Sequence, residues 1–525
     1  MRNIRDRATG ELFNRWEHLG SKRLERLQNS WAEVFHTQVI PNLPASELSK
    51  EFDPVMGRPT VDLPVVLGAI ILQQMFNLTD QETVDTLAFN ITWHYALDIR
   101  NDADMEMTDR TLRSYRKLVM ERGLDETMFR DVTDGLIEAA GVDTSKQRID
   151  STAFRSAMRQ LTRLGTFVET ISKFLRELKR KIPSEYDRVD PEVVRKCVDR
   201  EGAGCFGARP METRRRLPEA AAMLRELVTM FSGTQAEELE SFALLKRVFN
   251  EQCEVDDEGN LKIKPPGSMT GNHMSNPSDP DSTYNGHKGQ GFTGQVMETY
   301  TEEEHGEKTT PDIITYIDVN KMTKPDAGAL RPALDEVESR GIKPETLVAD
   351  TAYGTDANRE EALRRGTQII APTQPPKNYK KGRLSLEHFE LDEDGYVVKC
   401  PAGKTPITVN AMGNQIDARF EKSVCENCEL RNRCPCGIQV GKGKKPRLWY
   451  RPKRVERRKR LIYEQTPQFR EKYRWRAGVE ATISRLKHWM KLDSLRVRGS
   501  PPVTMALRLK ALSMNILRVT PYLTT

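Results

Sequence analysis

The segment Thr346-Leu347-Val348-Ala349-Asp350 indicates the fold, because an apolar run typical of a buried strand ends there on a carboxylate. Open α/β sheets bind their ligands beside the ends of such strands. The residues on either side alternate between strand-like and helix-like patterns: strands at 291–299, 313–319 and 368–371, and helices at about 325–339 and 359–365. This order predicts an α/β fold with a mixed sheet.

A second short strand is predicted at Arg148-Ile149-Asp150-Ser151-Thr152, and it also carries an aspartate. Changes in composition around these strands divide the chain into six segments. We predict an all-α N-terminal domain (1–140), the first core strand (141–154), a helical insertion (155–265), the main α/β core (266–372), a cysteine-containing insertion with short β-like pieces (373–445), and a basic segment followed by C-terminal helices (446–525).

Helical patterns dominate the first 140 residues. Leu63 to Phe76 predicts a buried helix, and Thr79 with Glu82 three residues later is a capping box that opens the next helix. A further helix is predicted from Thr108 to Met120, with an apolar stripe facing inward and three arginines facing outward: Arg110, Arg113 and Arg116. A DNA-reading helix presents such a basic face, and so does an ordinary amphipathic helix.

The composition, with 37% hydrophobic and 30% charged residues among 525, excludes the disordered class and predicts a folded, soluble protein of several domains. The longest strongly apolar stretch, Val65 to Leu72, is far shorter than a membrane span. The N-terminus, Met1-Arg2-Asn3-Ile4-Arg5, is charged from the start and has no signal-peptide core. We therefore expect no membrane partner and a cytoplasmic location.

Positive charge is concentrated at the C-terminal end of the chain. The net charge is +6 overall, but residues 441–525 alone carry about +18. The densest stretch, Lys442 to Arg460, has Glu456 as its one acidic residue and includes three arginines that we select as DNA-binding candidates: Arg454, Arg457 and Arg458. Such a stretch favours a polyanionic partner, since an unneutralised run of like charges repels itself. A solvated charge run is the alternative interpretation.

Five of the eight cysteines lie close together in the sequence: Cys400, Cys425, Cys428, Cys434 and Cys436. In a reducing cytosol such a cluster favours a zinc site over disulfides, because structural zinc takes four thiolate or imidazole ligands. Cys425 and Cys428 form a typical C-x-x-C half-site, which Cys400 and Cys434 would complete, with Cys436 as the alternative to Cys434. Ordinary reduced thiols are the other possibility.

The helix predicted to begin at Thr466-Pro467 has two distinct faces. At about 100° per residue, Tyr473, Arg476, Glu480 and Lys487 fall on one narrow polar face. A neighbouring stripe is apolar and anchors the helix: Val479, Ile483, Leu486 and Met490. A carboxylate flanked by Tyr, Arg and Lys can provide a metal ligand while its neighbours hold phosphates. A salt-bridged surface helix is the alternative.

Three carboxylates, Asp150, Asp350 and Glu480, are therefore candidates for one site. Strand-end aspartates are also common loop caps, so neither aspartate is informative alone. If the three converge, they repel one another unless a hard cation such as Mg²⁺ lies between them. Such a site suits in-line attack on a phosphodiester.

The spacing Tyr473-x2-Arg476-x3-Glu480-x6-Lys487 resembles the Tyr-Arg-Glu-Lys signature of bacterial insertion-sequence DDE transposases. Asp150 in Arg-Ile-Asp-Ser-Thr and Asp350 in Ala-Asp-Thr-Ala-Tyr-Gly resemble the catalytic segments of that family. The segment from Asp279 to Gly294 resembles a further segment of the same catalytic domain. The N-terminal helical region resembles the domain that precedes this core, and the cysteine-bearing insertion resembles one found in a branch of the family. The helical insertion is matched only loosely.

The resemblance implies an RNase H-like core in which Asp150, Asp350 and Glu480 bind two Mg²⁺ ions, with Mn²⁺ as a substitute. It implies an endonuclease that cuts double-stranded DNA at terminal inverted repeats and joins the 3′-hydroxyl ends to target DNA. Tyr473, Arg476 and Lys487 would hold backbone phosphates, the N-terminal domain would serve DNA binding and dimerisation, and a homodimer would act on DNA in the bacterial nucleoid. Two alternatives remain open: an RNase H-like nuclease without strand transfer, and a catalytically idle DNA-binding regulator.

Overall fold

The computed structural model describes residues 1–5, 7, 15–199, 210–302, 308–374, 382–436 and 446–524. The chain forms two compact units. The first unit comprises residues 1–343 and 478–525, and the second comprises residues 344–477.

The first unit begins with helices, as predicted: α1 (Ser21–Gln28), α2 (Trp31–Val34), α3 (Ala45–Ser49), α4 (Leu63–Phe76), α5 (Asp80–Phe89), α6 (Ile91–Ala96), α7 (Asp109–Glu121) and α8 (Leu124–Ala139). The predicted buried helix α4 is confirmed, since nearly all of its side chains are buried. The capping box is confirmed as well. The Thr79 hydroxyl accepts from the Glu82 backbone N–H at 3.1 Å, and the Glu82 carboxylate accepts from the Thr79 backbone N–H at 2.7 Å.

Helix α7 confirms the predicted inward stripe, because Leu112, Tyr115 and Val119 are buried. The prediction that three arginines of this helix face outward is wrong for Arg116. The Arg116 guanidinium forms an ion pair with Asp80 and donates to the Gln73 side chain at 2.9 Å. Helix α7 packs against α4 and α5, so the Arg116 side chain, 25% exposed, lies against their junction instead of projecting freely outward.

An antiparallel sheet forms the centre of the first unit. Its strands are β1 (Lys146–Phe154), β4 (Thr283–Asn285), β5 (Gly289–Thr299) and β6 (Ile314–Lys321), and a separate hairpin is formed by β2 (Cys253–Val255) and β3 (Leu261–Ile263). Strand β5 pairs with β1, with β6 and, at its start, with β4. Three further helices complete this part of the unit: α14 (Leu330–Ser339), α19 (Ala477–His488) and α20 (Ser500–Leu523).

Helix α20 joins the sheet to the N-terminal helices, because it packs against α4, α8 and β6. The buried amide of Asn515 on α20 accepts from the Ile314 backbone N–H and donates to the Ile314 carbonyl, both at 2.8 Å. This pair satisfies backbone groups at the start of β6 that would otherwise be buried without partners.

In the described residues, the predicted helical insertion (155–265) is mostly helical, but its last part forms the β2–β3 hairpin instead of a helix. It contains α9 (Arg163–Lys181), α10 (Pro183–Tyr186), α11 (Pro191–Cys197), α12 (Pro210–Phe231) and α13 (Glu240–Gln252). These helices bury a core of their own, in which the Phe174 ring lies 5.3 Å from that of Phe231 and 5.5 Å from that of Phe242.

The second unit contains the parallel pair β7 (Thr346–Ala349) and β8 (Gln368–Ile370), connected through α15 (Asp356–Arg364). Its remaining elements are β9 (Glu390–Leu391), β10 (Val397–Lys399), β11 (Thr408–Met412), β12 (Gln415–Arg419), α16 (Lys422–Glu426), β13 (Arg447–Tyr450), α17 (Pro452–Glu464) and α18 (Pro467–Tyr473). Strands β11, β12 and β13 form a small antiparallel sheet. The two units contain helices with both antiparallel and parallel strands, which agrees with the mixed sheet predicted for an α/β fold.

Within the described ranges, no single helix is long and apolar enough to cross a membrane. Helices α4 and α5 together reach the length and apolar composition of a membrane span, but they are bent by 116° relative to each other.

Candidate active site

Asp150 lies in the middle of β1, opposite Val296 of β5. Its side chain is 9% exposed, and its Oδ1 accepts from the Ser151 backbone N–H at 2.8 Å. Because side chains alternate along a strand, Asp150 projects to the same sheet face as Arg148. Arg148 is itself buried and lies opposite Glu298 of β5.

Asp350 directly follows β7, where the sequence predicts it. Its Oδ1 accepts from the Thr351 backbone N–H at 2.5 Å, and its carbonyl accepts from the Tyr353 backbone N–H at 3.0 Å. The Tyr353 ring is fully buried and anchors this turn.

The turn after Asp350 is held by Arg359, a residue that the sequence analysis does not single out. The Arg359 guanidinium donates to the carbonyl oxygens of Gly354, Ile369 and Ala371 at 3.0, 3.1 and 2.5 Å. A Cβ atom at residue 354 would lie 3.0 Å from Ala371 Cβ and 3.1 Å from both Arg359 Nη2 and the Pro372 carbonyl oxygen, so the turn is closely packed at this glycine. Since Arg359 donates only to carbonyl oxygens in these bonds, its role is to fix the loop that carries Asp350.

The helix predicted from Thr466 is divided into three parts. Thr466 caps α18, accepting from the Phe469 backbone N–H at 3.3 Å, and Pro467 is the first helical residue, as predicted. A 3₁₀ turn spans Arg474–Arg476, and α19 then begins at Ala477. A 3₁₀ turn advances about 120° per residue instead of 100°, so a uniform α-helical phase does not hold from Tyr473 to Glu480.

Helix α19 has separate polar and apolar faces, as predicted, but the buried face differs from the prediction at one position. Val479, Leu486 and Met490 are buried, whereas Ile483 is only half-buried. The buried position that the sequence does not predict is Thr482, whose hydroxyl donates to Glu298 Oε2 at 2.7 Å. Glu480 is exposed and Lys487 is half-buried.

Lys487 lines a cavity of about 380 Å³ in the first unit. Arg155, which follows the end of β1, and Lys288, which precedes β5, line the same cavity, with Asp493 on its wall. Lys288 also contacts Asp326, at 3.4 Å. Three cations from separate segments therefore surround one space that extends from the strand of Asp150 to the helix of Glu480. The sequence signal for Arg155 and Lys288 is their position, since Arg155 is five residues from Asp150 and Lys288 lies within the segment from Asp279 to Gly294.

The remaining phosphate-binding candidates lie in the second unit. The Tyr473 ring stacks on Phe469 with centroids 5.4 Å apart, and Arg476 is half-buried. On α17, Arg454 is exposed, while Arg457 and Arg458 donate to backbone carbonyls of the same unit. Residues 442–445 of the predicted basic stretch lie outside the described residues.

The five clustered cysteines line a single cavity in the second unit. Burial, followed by the proximity of Cys434, Cys400 and Cys428, raises the pKa of Cys425 to about 11. A hydrogen bond to Cys434 raises the pKa of Cys436 strongly, and Cys436 packs in the apolar core around Phe420. Across the part of the chain that the structure describes, no three or more His, Cys, Asp or Glu side chains form a group that could hold a metal ion.

Two segments of the chain match known protein families. Residues 399–520, which include the cysteines and α19, match the Transposase DDE domain. Residues 23–118, in the N-terminal helices, match the Transposase domain (DUF772). A search of curated proteins found no match. The two matches support an insertion-sequence transposase, a DNA-acting and metal-dependent enzyme of the DDE type.

Proposed function

We propose that this protein is the transposase of an insertion sequence. It binds the terminal inverted repeats of its element, cleaves DNA by metal-dependent hydrolysis, and joins the resulting 3′-hydroxyl ends to target DNA. The match of residues 399–520 to the Transposase DDE domain carries this proposal, because that segment contains Glu480. The RNase H-like core is part of the same proposal, supported by an antiparallel sheet that carries Asp150 and a strand–helix–strand unit that carries Asp350.

Asp150, Asp350 and Glu480 are the proposed Mg²⁺ ligands. Their chemistry fits, since Mg²⁺ takes oxygen ligands and carboxylates above all, and Mn²⁺ accepts the same set. When bound, the two ions supply Lewis-acid activation of the attacking oxygen and stabilisation of the leaving oxygen. The protein contributes carboxylates on ordered elements: a paired strand for Asp150, a braced turn for Asp350 and a packed helix for Glu480.

DNA phosphates are the proposed partners of Tyr473, Arg476 and Lys487, and of the basic helix through Arg454, Arg457 and Arg458. The cavity beside Lys487 supports this role, because Arg155 and Lys288 add two further cations around it. Phosphate contacts of this kind position DNA without reading its sequence. Arg454 is the most accessible of the α17 candidates, since Arg457 and Arg458 already donate to carbonyl oxygens.

A structural Zn²⁺ is proposed for the cysteine cavity, with Cys400, Cys425, Cys428 and Cys434 as ligands. The shared cavity supports this set. Cys436 is the weaker candidate for the fourth ligand, because its side chain is buried in the apolar core of this segment. Zn²⁺ binding would have to draw these four thiols to tetrahedral distances, because the described residues form no such group in the structure.

The decisive experiment uses the full-length protein, a pre-cleaved element end and a supercoiled plasmid target, with Mg²⁺. A transposase converts the plasmid into a product that is covalently joined to the end. A nuclease without strand transfer releases cut DNA but no joined product, and an idle regulator binds DNA and leaves it uncut. The matched control is Glu480→Gln, which removes one charge and should yield no joined product.

Homodimerisation on DNA is part of the proposal, since two ends must be handled together. Light scattering of the complex with an end duplex should give the mass of two chains and two duplexes. A mass of one chain with a duplex at saturating concentrations would exclude this assembly.

A further inference from the structure

A buried network of charges lies under α19, on the face opposite Glu480. At its centre is Glu298, whose carboxylate is fully buried. Its Oε1 accepts from Arg148 Nε at 2.7 Å. Its Oε2 accepts from the Thr482 hydroxyl at 2.7 Å and from Arg518 Nη1 at 2.8 Å.

Further ion pairs extend this network. Arg148 Nη2 also donates to Asp312 at 2.7 Å, and Lys308 donates to the same carboxylate at 2.6 Å. Arg518 bridges back to the helix by donating to the Thr482 hydroxyl. Each buried charge of this network thus has an oppositely charged partner, which is the condition under which buried ions are tolerated.

Helix α19 contacts this network through two residues one turn apart, Gly478 and Thr482. A Cβ atom at residue 478 would lie 2.0 Å from Arg148 Nη1, so the helix backbone rests directly on the guanidinium. Glu480 lies between these two positions and is rotated about 200° from Gly478, which places it on the outer side.

We infer that Arg148 and Glu298 are positioning residues that fix Glu480 relative to the strand of Asp150. Arg148 occupies the same sheet face as Asp150, two residues away, and it contacts the helix two residues before Glu480. Glu298 holds both Arg148 and Thr482, so it sets the height and rotation of α19 above β1 and β5. This inference rests on the proposed function, because it takes Asp150 and Glu480 as catalytic.

An apolar contact could bury the same surface with equal stability, but it would allow the helix to slide or rotate. Directional hydrogen bonds permit one register. A displacement of about 1 Å at a reacting group is enough to slow catalysis about a hundredfold. The network therefore acts on the geometry of Glu480 more than on the stability of the unit.

The test compares Thr482→Val with Thr170→Val in the full-length protein. Both threonines are 1% exposed and lie in helices of the first unit, but among the described residues the Thr170 hydroxyl donates to the Thr166 carbonyl of its own helix and makes no hydrogen bond to a charged side chain. Thr482→Val should slow cleavage of an element end about tenfold or more, with Kd for that DNA and Tm close to those of Thr170→Val. Amide hydrogen exchange over residues 479–486 should accelerate in Thr482→Val alone.

Conservative rescue extends the test to Arg148. Arg148→Lys keeps a cation and should retain more cleavage activity and slower exchange than Arg148→Met. If Thr482→Val matches Thr170→Val in both cleavage rate and exchange, the inference is overturned. If the wild type cleaves no DNA under any condition, the proposed function fails, whereas the exchange comparison still decides whether the network holds α19.

Discussion

Lys510 Nζ lies 3.2 Å from Asn77 Oδ1, at the point where a left-handed residue ends α4. Lys510 is 1% exposed, and it also approaches the Gln74 carbonyl at 3.4 Å. A cation suits the C-terminal end of a helix, where carbonyl oxygens lack partners. Burial, followed by repulsion from Arg496, lowers the pKa of Lys510 to about 8.

The first prediction concerns stability against pH. Between about pH 8 and the ordinary lysine value near 10.4, the unfolded chain binds a proton at Lys510 that the folded protein has released. The free energy of unfolding of the wild type should therefore rise across that window relative to Lys510→Met, by on the order of 2 kcal/mol. Urea unfolding of both proteins at pH 7.5 and 10 measures the difference, and a constant difference would contradict the shift.

The second prediction concerns the three carboxylates. Asp150→Asn, Asp350→Asn and Glu480→Gln should each abolish cleavage and strand transfer, because each removes a proposed ligand charge. Binding to an element end should persist, since phosphate contacts remain. Cleavage assays and binding titrations on the same preparations check this. Near-normal cleavage by one of these variants would remove that residue from the site.

The third prediction concerns salt dependence. Neutralising Arg155, Lys288 and Lys487 together should flatten a log-log plot of DNA affinity against salt, by up to about 0.9 for each DNA phosphate that the variant no longer neutralises. The same reduction is expected when four exposed cations around α17 are neutralised: Arg451, Lys453, Arg454 and Lys459. If the slope for either set stays at the wild-type value, that surface is a solvated charge cluster without DNA contacts.

The fourth prediction compares the two faces of α19. Lys487→Ala should weaken binding of a pre-cleaved end and slow strand transfer without lowering Tm, and Arg476→Ala on the preceding turn should do the same. Val479→Asp should destabilise the unit by about 3 kcal/mol or more, because it buries an unpaired carboxylate. Ile483→Asp should cost less, since that position is half-buried. Thermal melts and binding assays on the same variants distinguish phosphate-binding residues from residues that stabilise the fold. A large loss of Tm in Lys487→Ala would show that Lys487 has a structural role.

The fifth prediction concerns zinc. Protein purified without chelator should carry one zinc per chain by elemental analysis, and the double variant Cys425→Ser, Cys428→Ser should carry none. Cys253→Ser, a buried cysteine of the first unit, is the control and should keep the metal. Cys434→Ser should lose zinc while Cys436→Ala keeps it. Zinc-free wild-type protein would exclude the site.

Loss of zinc should loosen the segment around the cysteines without unfolding it entirely. The structure gives this region an apolar core that includes Phe389, Ile416, Phe420 and Tyr450. Proteolysis of the double cysteine variant should therefore cut first near the cysteines and spare the sheet of β11 to β13.

Elements with a local signal were predictable from the sequence. The strand ending at Asp350, the buried helix α4, the Thr79 capping box and the Thr466 cap all depend on residues within a few positions of one another. The interruption of the Glu480 helix was not predictable, because the 3₁₀ turn at Arg474–Arg476 follows no strong local signal. The orientation of Arg116 was likewise not predictable, because its ion-pair partner Asp80 lies on another helix, 36 residues away in the sequence.

The sequence by itself determined the elements and the candidate carboxylates, because hydrophobic period, capping and strand-end positions are properties of neighbouring residues. Only the tertiary structure decided which polar groups became partners in the interior. Glu298 lies 150 residues from Arg148 and 184 from Thr482, and nothing in a local pattern distinguishes it from a solvated glutamate. Pairing of buried charges depends on how distant segments pack, and that choice is made by the whole fold at once.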